Sequence, residues 1–167
     1  LVASAIEHEA VLRTFTALSR RGWTTTLVGV DTSGVVTPER MAEAVTDETA
    51  LVSVMHANNE IGTINEIAKI GPVCKANGVI FHTDATQAVG KIPVDVEAAG
   101  LDLLSGSAHK IYGPKGSGFL YVRRRKPRVR LTPIIEGGGH ERGMRSGTLN
   151  VPGIVGLGEA CEICQNE

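Results

Sequence analysis

Two rhythms of apolar and polar positions alternate along this chain. Short apolar runs at residues 1–4, 23–30, 51–56, 79–83, 101–105 and 118–122 read as β-strands, several of them rich in Val and Thr. Val79-Ile80-Phe81 is continuously apolar, as a central parallel strand covered on both faces should be. Between these runs lie helical spacings. Residues 7–20 carry Val11, Leu12, Phe15 and Leu18 on one face, with Gly22 placed to cap the end. Thr37-Pro38-Glu39 combines an N-cap hydroxyl, a proline in the first turn and an acid there, and opens a helix to Val45. A third helix is predicted over 65–77, stopped by Gly78, and a fourth from Val151-Pro152. Strands alternating with helices argue for βα units and a largely parallel sheet in one domain.

In open α/β sheets ligands collect outside the carboxyl ends of the strands. Polar side chains fall there repeatedly: His8 after the first strand, Asn58 and Asn59 after another, Asp84 and Gln87 after the 79–83 run, and Ser107, His109 and Lys110 after the 101–105 run. Each has an ordinary reading by itself. Asp84 can cap the segment behind it, Lys110 can snorkel to water, and a lone histidine is commonly just hydrogen-bonded. Their joint occurrence at strand ends points to a site. A lysine between an apolar run and the rigid Gly113-Pro114 turn is suited to covalent work on a carbonyl cofactor, with a carboxylate such as Asp84 on a pyridinium nitrogen.

Composition narrows the partners. The formal net charge is −1, so bulk attraction to nucleic acid or anionic lipid is not indicated. No apolar run approaches the roughly 20 residues of a membrane helix, and no signal peptide is visible. Three cysteines are too few for a disulfide framework, which favours a reducing compartment. Cys74 reads as a helix core residue. Cys161 and Cys164 form a C-x-x-C inside a helical pattern, better read as small residues on a packed face than as metal or redox ligands. The chain opens at Leu1 within a strand pattern and stops at Glu167 within a helical one, so it reads as a piece of a longer protein.

Three other segments invite chemistry. Gly113-Pro114-Lys115-Gly116-Ser117-Gly118 lacks the spacing of a nucleotide P-loop. The basic run 123–130 has no interleaved aromatics for base stacking and reads as a solvated hairpin or a patch for acidic partners. His56, His82, His109 and His140 show no metal-site spacing, so no metal is expected. The loop 137–148 is dense in Gly and charge, and Thr148 with nearby amides stands ahead of the fourth helix, where an anion could sit.

Five segments together resemble the cysteine desulfurases of the class-V aminotransferase family, and in particular the iron–sulfur-cluster branch. They are Ile6-Glu7-His8-Glu9-Ala10-Val11, His56-Ala57-Asn58-Asn59-Glu60-Ile61-Gly62, His82-Thr83-Asp84-Ala85-Thr86-Gln87, Ala108-His109-Lys110-Ile111-Tyr112-Gly113-Pro114-Lys115-Gly116 and Gly138-Gly139-His140-Glu141-Arg142-Gly143-Met144-Arg145-Ser146-Gly147-Thr148. The resemblance runs through the whole chain. It implies a three-layer α/β/α architecture with a mostly parallel sheet, the large domain of the type I aspartate aminotransferase fold. Residues 1–167 would form the core of that domain, without its N-terminal segment and small domain.

The resemblance also implies the cofactor, pyridoxal 5'-phosphate, and a role for each site residue. Lys110 would hold the cofactor as a Schiff base, Asp84 would pair with its pyridine nitrogen, and Gln87 would hydrogen-bond its phenolic oxygen. His8 would stack on the ring and shuttle protons. Ser107 and His109 would bind the phosphate, with Ala108 between them in the cofactor-binding set and Thr148 reaching it from the second subunit of a homodimer. Asn59 would lie beside the cofactor and the substrate carboxylate. The implied reaction converts L-cysteine to L-alanine and passes sulfur, as an enzyme persulfide, to an iron–sulfur scaffold or other acceptor protein in the bacterial cytoplasm or the mitochondrial matrix. Cys74, Cys161 and Cys164 do not match the family's acceptor cysteine, so the piece alone is expected to be inactive. A selenocysteine lyase or another class-V enzyme is the alternative within enzymes; a non-catalytic dimerising or binding piece is the alternative outside them.

Overall fold

Three of the four α-helices among the described residues start where a side chain serves a free amide of the first turn, and only the third begins without such a cap. The computed structural model describes residues 1–166, so the expectation of a helical pattern running to Glu167 lies at its last position outside the described residues. His8 Nδ1 accepts the Ala10 N–H (3.1 Å) and starts α1, Glu9–Ser19. Thr37 Oγ1 accepts the Arg40 N–H (3.3 Å) and starts α2, Pro38–Ala44, with the proline in the first turn as expected. The other helices are α3, Ile67–Ala76, and α4, Val151–Asn166. Six strands, β1 Val2–Ser4, β2 Thr26–Val28, β3 Leu51–Ser53, β4 Ile80–Asp84, β5 Leu103–Ser107 and β6 Gly118–Val122, form one sheet in the order β2-β1-β3-β4-β5-β6. All neighbours are parallel except β5 and β6, which pair antiparallel from Leu103↔Val122 to Ser107↔Gly118.

The order reverses at β1, with β2 on one side of it and β3 on the other. A crevice therefore opens between the carboxyl ends of β1 and β3. Strand alternation then divides the sheet into two unlike faces. Val52, Val54, Phe81 and Leu104 share a core with Met41 of α2 and Ile70 and Cys74 of α3. The opposite parity presents Ser53, Met55, His82, Asp84, Ser105 and Ser107 to a cavity that α1 borders through Val11 and Phe15.

Departures from the sequence pattern have local causes. Residues 23–30 give only three strand residues. Trp23 still belongs to the turn that ends α1, its N–H reaching the Leu18 carbonyl (3.2 Å), and β2 is an edge strand paired on one side only. Gly22 adopts a positive φ of 92°, but it follows the cap residue Arg20 by two positions. Residues 54–56 leave the assigned β3 yet continue its ladder, with the Val54 and His56 N–H groups on the His82 and Asp84 carbonyls. Glu7 does not begin α1. It precedes the N-cap and is buried. Arg123 departs from the solvated basic run: it is 7% exposed, its NH1 is 2.9 Å from Glu97 Oε2, its Nε is 3.4 Å from Asp102 Oδ1, and its Nε also donates to the Leu101 carbonyl. Its neighbours Arg124, Arg125 and Arg128 are exposed.

Candidate active site

The cavity at the switch point has a volume of ≈ 660 Å³. It gathers seven of the nine predicted site residues: His8, Asn59, Asp84, Gln87, Ser107, His109 and Lys110.

Asp84 ends β4, and its Oδ1 accepts the Thr86 N–H at 2.9 Å. The capping reading and the functional reading therefore coexist, because one oxygen steadies the turn while Oδ2 has no protein partner among the described residues. Gln87 follows in that turn. Its Oε1 is taken by Lys91 Nζ at 2.5 Å, which leaves the amide donors for a ligand acceptor. His8 is held as the N-cap, and since Nδ1 accepts from Ala10, the proton of the neutral ring sits on Nε2. Asn58 builds the adjacent loop from its buried position: Nδ2 donates to the Ile6 carbonyl (2.8 Å) and Oδ1 accepts from Glu60 and Ile61. Asn59 beside it stays exposed at the rim.

Lys110 rides on a single 3-10 turn, Ala108–Ile111, that follows β5 directly. Tyr112 ends the turn in the left-handed region (φ 62°, ψ 11°), and Gly113 N–H closes it on the Ala108 carbonyl at 2.9 Å. Ser107 Oγ lies 2.8 Å from His109 Nδ1, so the two phosphate candidates already form a pair. Ala108 does not line the cavity. Its N–H is donated to the Ser117 carbonyl (3.0 Å), and its methyl packs with Ile111, Leu157 and Ala160. Thr148 is exposed and outside the cavity, and Asn150 rather than Thr148 caps the start of α4 by accepting the Gly153 N–H.

The lysine turn is docked on α4 through missing side chains. A Cβ on Gly156 would lie 2.5 Å from Pro114 Cγ, and one on Gly153 would lie 2.2 Å from Ser117 Oγ. Cys161 and Cys164 are half-buried on α4 and pack against this same cluster. Cys74 is buried in α3, where burial pushes its thiol up to about 12. Among the described residues, no cysteine lines the cavity.

The sequence reading missed the floor. Glu7 is 5% exposed and accepts the Met55 N–H on Oε1 at 2.5 Å. Ser53 Oγ lies 3.4 Å from Glu7 Oε2 and 2.9 Å from His82 Nδ1, and His82 Nε2 lies 2.9 Å from Ser105 Oγ. Burial raises the Glu7 carboxyl to about 7 against the Met55 hydrogen bond, with a further push from the Asp84 charge. Burial also holds His82 below the ordinary histidine range. Parity was the available signal: Ser53, His82 and Ser105 stand two residues before Met55, Asp84 and Ser107, and so share their face.

A lysine, a strand-end carboxylate, an imidazole and a hydroxyl–imidazole pair around one crevice define a fold-type in which a carbonyl cofactor can be held between amine and carboxylate. The chain belongs to the aminotransferase class-V family, whose sequence model matches residues 1–167; cysteine desulfurases and the other members of that family depend on pyridoxal phosphate. It is 56% identical over its full length to the cysteine desulfurase IscS of Anaeromyxobacter sp. (strain Fw109-5) and 56% identical to that of Neisseria meningitidis (serogroup A, strain Z2491), covering 41% of each. Among solved structures it is similar to a NifS-like protein (TM-score 0.93, 46% identity, 99% of this chain and 45% of that one) and to SspA in complex with cysteine (TM-score 0.90, 44% identity, 96% and 46%). The chain thus spans about two fifths of the length of these curated relatives.

Proposed function

We propose that residues 1–167 form the core of the cofactor-binding domain of a pyridoxal-phosphate-dependent cysteine desulfurase. The observation that carries this reading is the convergence of Lys110, Asp84 and His8 on one cavity at the strand-order switch point. The donor set fits the cofactor: an amine for its aldehyde, a carboxylate for a ring nitrogen, free amide donors on Gln87 for a phenolic oxygen, and the Ser107–His109 pair for a phosphate. Bound there, pyridoxal phosphate supplies an electron sink for bonds at the substrate's α-carbon. The similarity to SspA, solved with cysteine, and to proteins named cysteine desulfurase supports cysteine as the substrate.

In this reaction the carbon–sulfur bond of L-cysteine breaks and a sulfur–sulfur bond forms to an enzyme thiol, giving L-alanine and a persulfide. Asp84 would pair its carboxylate with the cofactor's ring nitrogen and help to hold a proton there. Lys110 would hold the cofactor's aldehyde through its amine and, when free, would serve as the base at the substrate's α-carbon. His8, with its proton on Nε2, serves as the acid near the substrate's sulfur side. Asn59 at the rim orients the substrate carboxylate, and Thr148 completes the phosphate site across a homodimer. The acceptor thiol comes from outside the described residues, since Cys74 is inert and Cys161 and Cys164 serve packing. The persulfide then feeds an iron–sulfur scaffold or another sulfur-accepting protein.

Incubation of the full-length protein with pyridoxal phosphate, borohydride reduction and peptide mapping tests the assignment. A pyridoxyl adduct on Lys110 that Lys110→Ala lacks is expected. An adduct elsewhere, or none, overturns the cofactor reading.

A further inference from the structure

The polar floor is continuous. From Glu7 it runs through the Ser53 hydroxyl (3.4 Å) and both nitrogens of His82 (2.9 Å from Ser53 Oγ and 2.9 Å from Ser105 Oγ) to a hydroxyl in the cavity wall. Four groups, on the segment after β1 and on β3, β4 and β5, are joined directly by hydrogen bonds. Ser105 is the strand partner of Asp84, so this chain ends beside the carboxylate assigned to the cofactor. We propose that Glu7 is a positioning residue, which through Ser53 sets the tautomer of His82 and thereby decides whether the Ser105 hydroxyl offers the cavity a donor or an acceptor.

The direction of each hydrogen bond follows from the far end. Glu7 Oε1 is committed to accepting from the Met55 N–H. When Glu7 is ionised, Oε2 also accepts, so Ser53 donates to it, His82 Nδ1–H donates to Ser53, and Ser105 donates to the bare Nε2. The lone pairs of Ser105 then face the cavity. When Glu7 is protonated, its O–H donates to Ser53, Ser53 donates to Nδ1, and Nε2–H donates to Ser105, whose own O–H is freed for the cavity. With a neutral imidazole and every link of the chain directed the same way, these are the two arrangements. Burial keeps the His82 ring neutral near neutrality, and it brings Glu7 to about 7, so both arrangements are populated close to physiological pH. The groups bearing on Glu7 are few. Ser4 and Ser53 supply hydroxyls, β3 supplies the Met55 N–H, and Asp84 of β4 supplies the charge. The charge acting on His82 is Asp84, while Ser53 and Ser105 flank the ring. From α1 the cavity receives Ala10, Val11, Thr14 and Phe15, none of them charged, and Lys110, His8 and His109 stand at its rim.

The link to catalysis rests on the proposed function, but the test is independent of it. In full-length protein with 15N-labelled histidine, the two ring nitrogens of His82 are assigned by the signals lost in His82→Asn and followed from pH 5.5 to 8.5, with and without pyridoxal phosphate. The expected result is exchange of the proton from Nε2 to Nδ1 as pH rises. In Glu7→Gln the side-chain carbonyl must still accept from Met55, so its amide donates to Ser53, and with the ionisation removed the His82 tautomer is expected to stay the same at every pH. Should Glu7→Gln fail to fold, Ser53→Ala cuts the chain and is expected to make the tautomer independent of pH. A His82 tautomer that responds to pH alike in all three proteins, or in none, overturns the proposal. A switch that is present in a protein unable to bind pyridoxal phosphate upholds it and removes the cofactor reading instead.

Discussion

Asp84 shows how one residue can cap a turn through one oxygen and leave the other for the proposed cofactor contact. Oδ1 caps the Thr86 amide, and Oδ2 has no protein partner among the described residues. Asp84→Asn keeps the capping carbonyl but loses the charge. It is expected to unfold in denaturant within about 0.5 kcal/mol of the parent protein while binding pyridoxal phosphate at least about tenfold more weakly. Asp84→Ala loses the cap as well and should cost about a further 1 kcal/mol. Equal cofactor affinity in Asp84→Asn and the parent would remove the pyridinium role. Asp84, Lys110 and His8 were legible in the sequence because polar residues directly after apolar runs fall at strand ends. Glu7 was not, since next to Glu9 it looked like another acid of a helix's first turn. Only the tertiary fold shows that it turns back against β3 and is buried there.

At the level of elements, the lysine turn depends on α4, which approaches it closely because Gly153 and Gly156 have no side chains. Two glycines of this helix make a matched pair. A methyl on Gly158 would meet nothing within 4 Å, so Gly158→Ala should stabilise the protein by about 0.5–1 kcal/mol through helix propensity alone. A methyl on Gly156 would lie 2.5 Å from Pro114 Cγ and 3.0 Å from its Cδ. The rigid ring cannot swing aside, and overpacking of about 1–3 kcal/mol outweighs the same propensity gain. Gly156→Ala should therefore destabilise and slow formation of the pyridoxyl adduct on Lys110, while Gly158→Ala leaves that rate unchanged. Equal adduct rates in the two variants would show that α4 does not position the lysine. Periodicity found α4 and placed its start at Val151, and it found β6 to the residue. It could not reveal which helix face meets which loop, because a low-polarity helix rich in glycine presents no distinct apolar stripe.

Across the whole molecule, the sheet separates a dry face, where α2 and α3 close the core, from a polar face under the cavity. The strand order that creates this division is a long-range property, and no local pattern in the chain encodes it. One consequence reaches global stability. Glu7 titrates near 7 in the folded protein against an ordinary value of 4.5. Below about 4.5 both the folded and the unfolded chain carry its proton, and Glu7 contributes no pH dependence. Between 4.5 and 7 only the folded form retains the proton, so stability from this group falls as pH rises, and it levels off above 7. His82 acts in the opposite sense: its folded pKa is depressed, so its contribution is present above about 6.5 and declines as the solution is acidified. The two partly cancel in the parent protein, and the comparison with Glu7→Gln isolates the carboxyl. Between pH 5 and pH 8 the parent is expected to lose roughly 2–3 kcal/mol of unfolding free energy relative to Glu7→Gln. Urea unfolding of both proteins at the two pH values measures this double difference. A value near zero would mean that Glu7 ionises as readily when folded as in the open chain, and that water reaches it where the structure leaves it only 5% exposed.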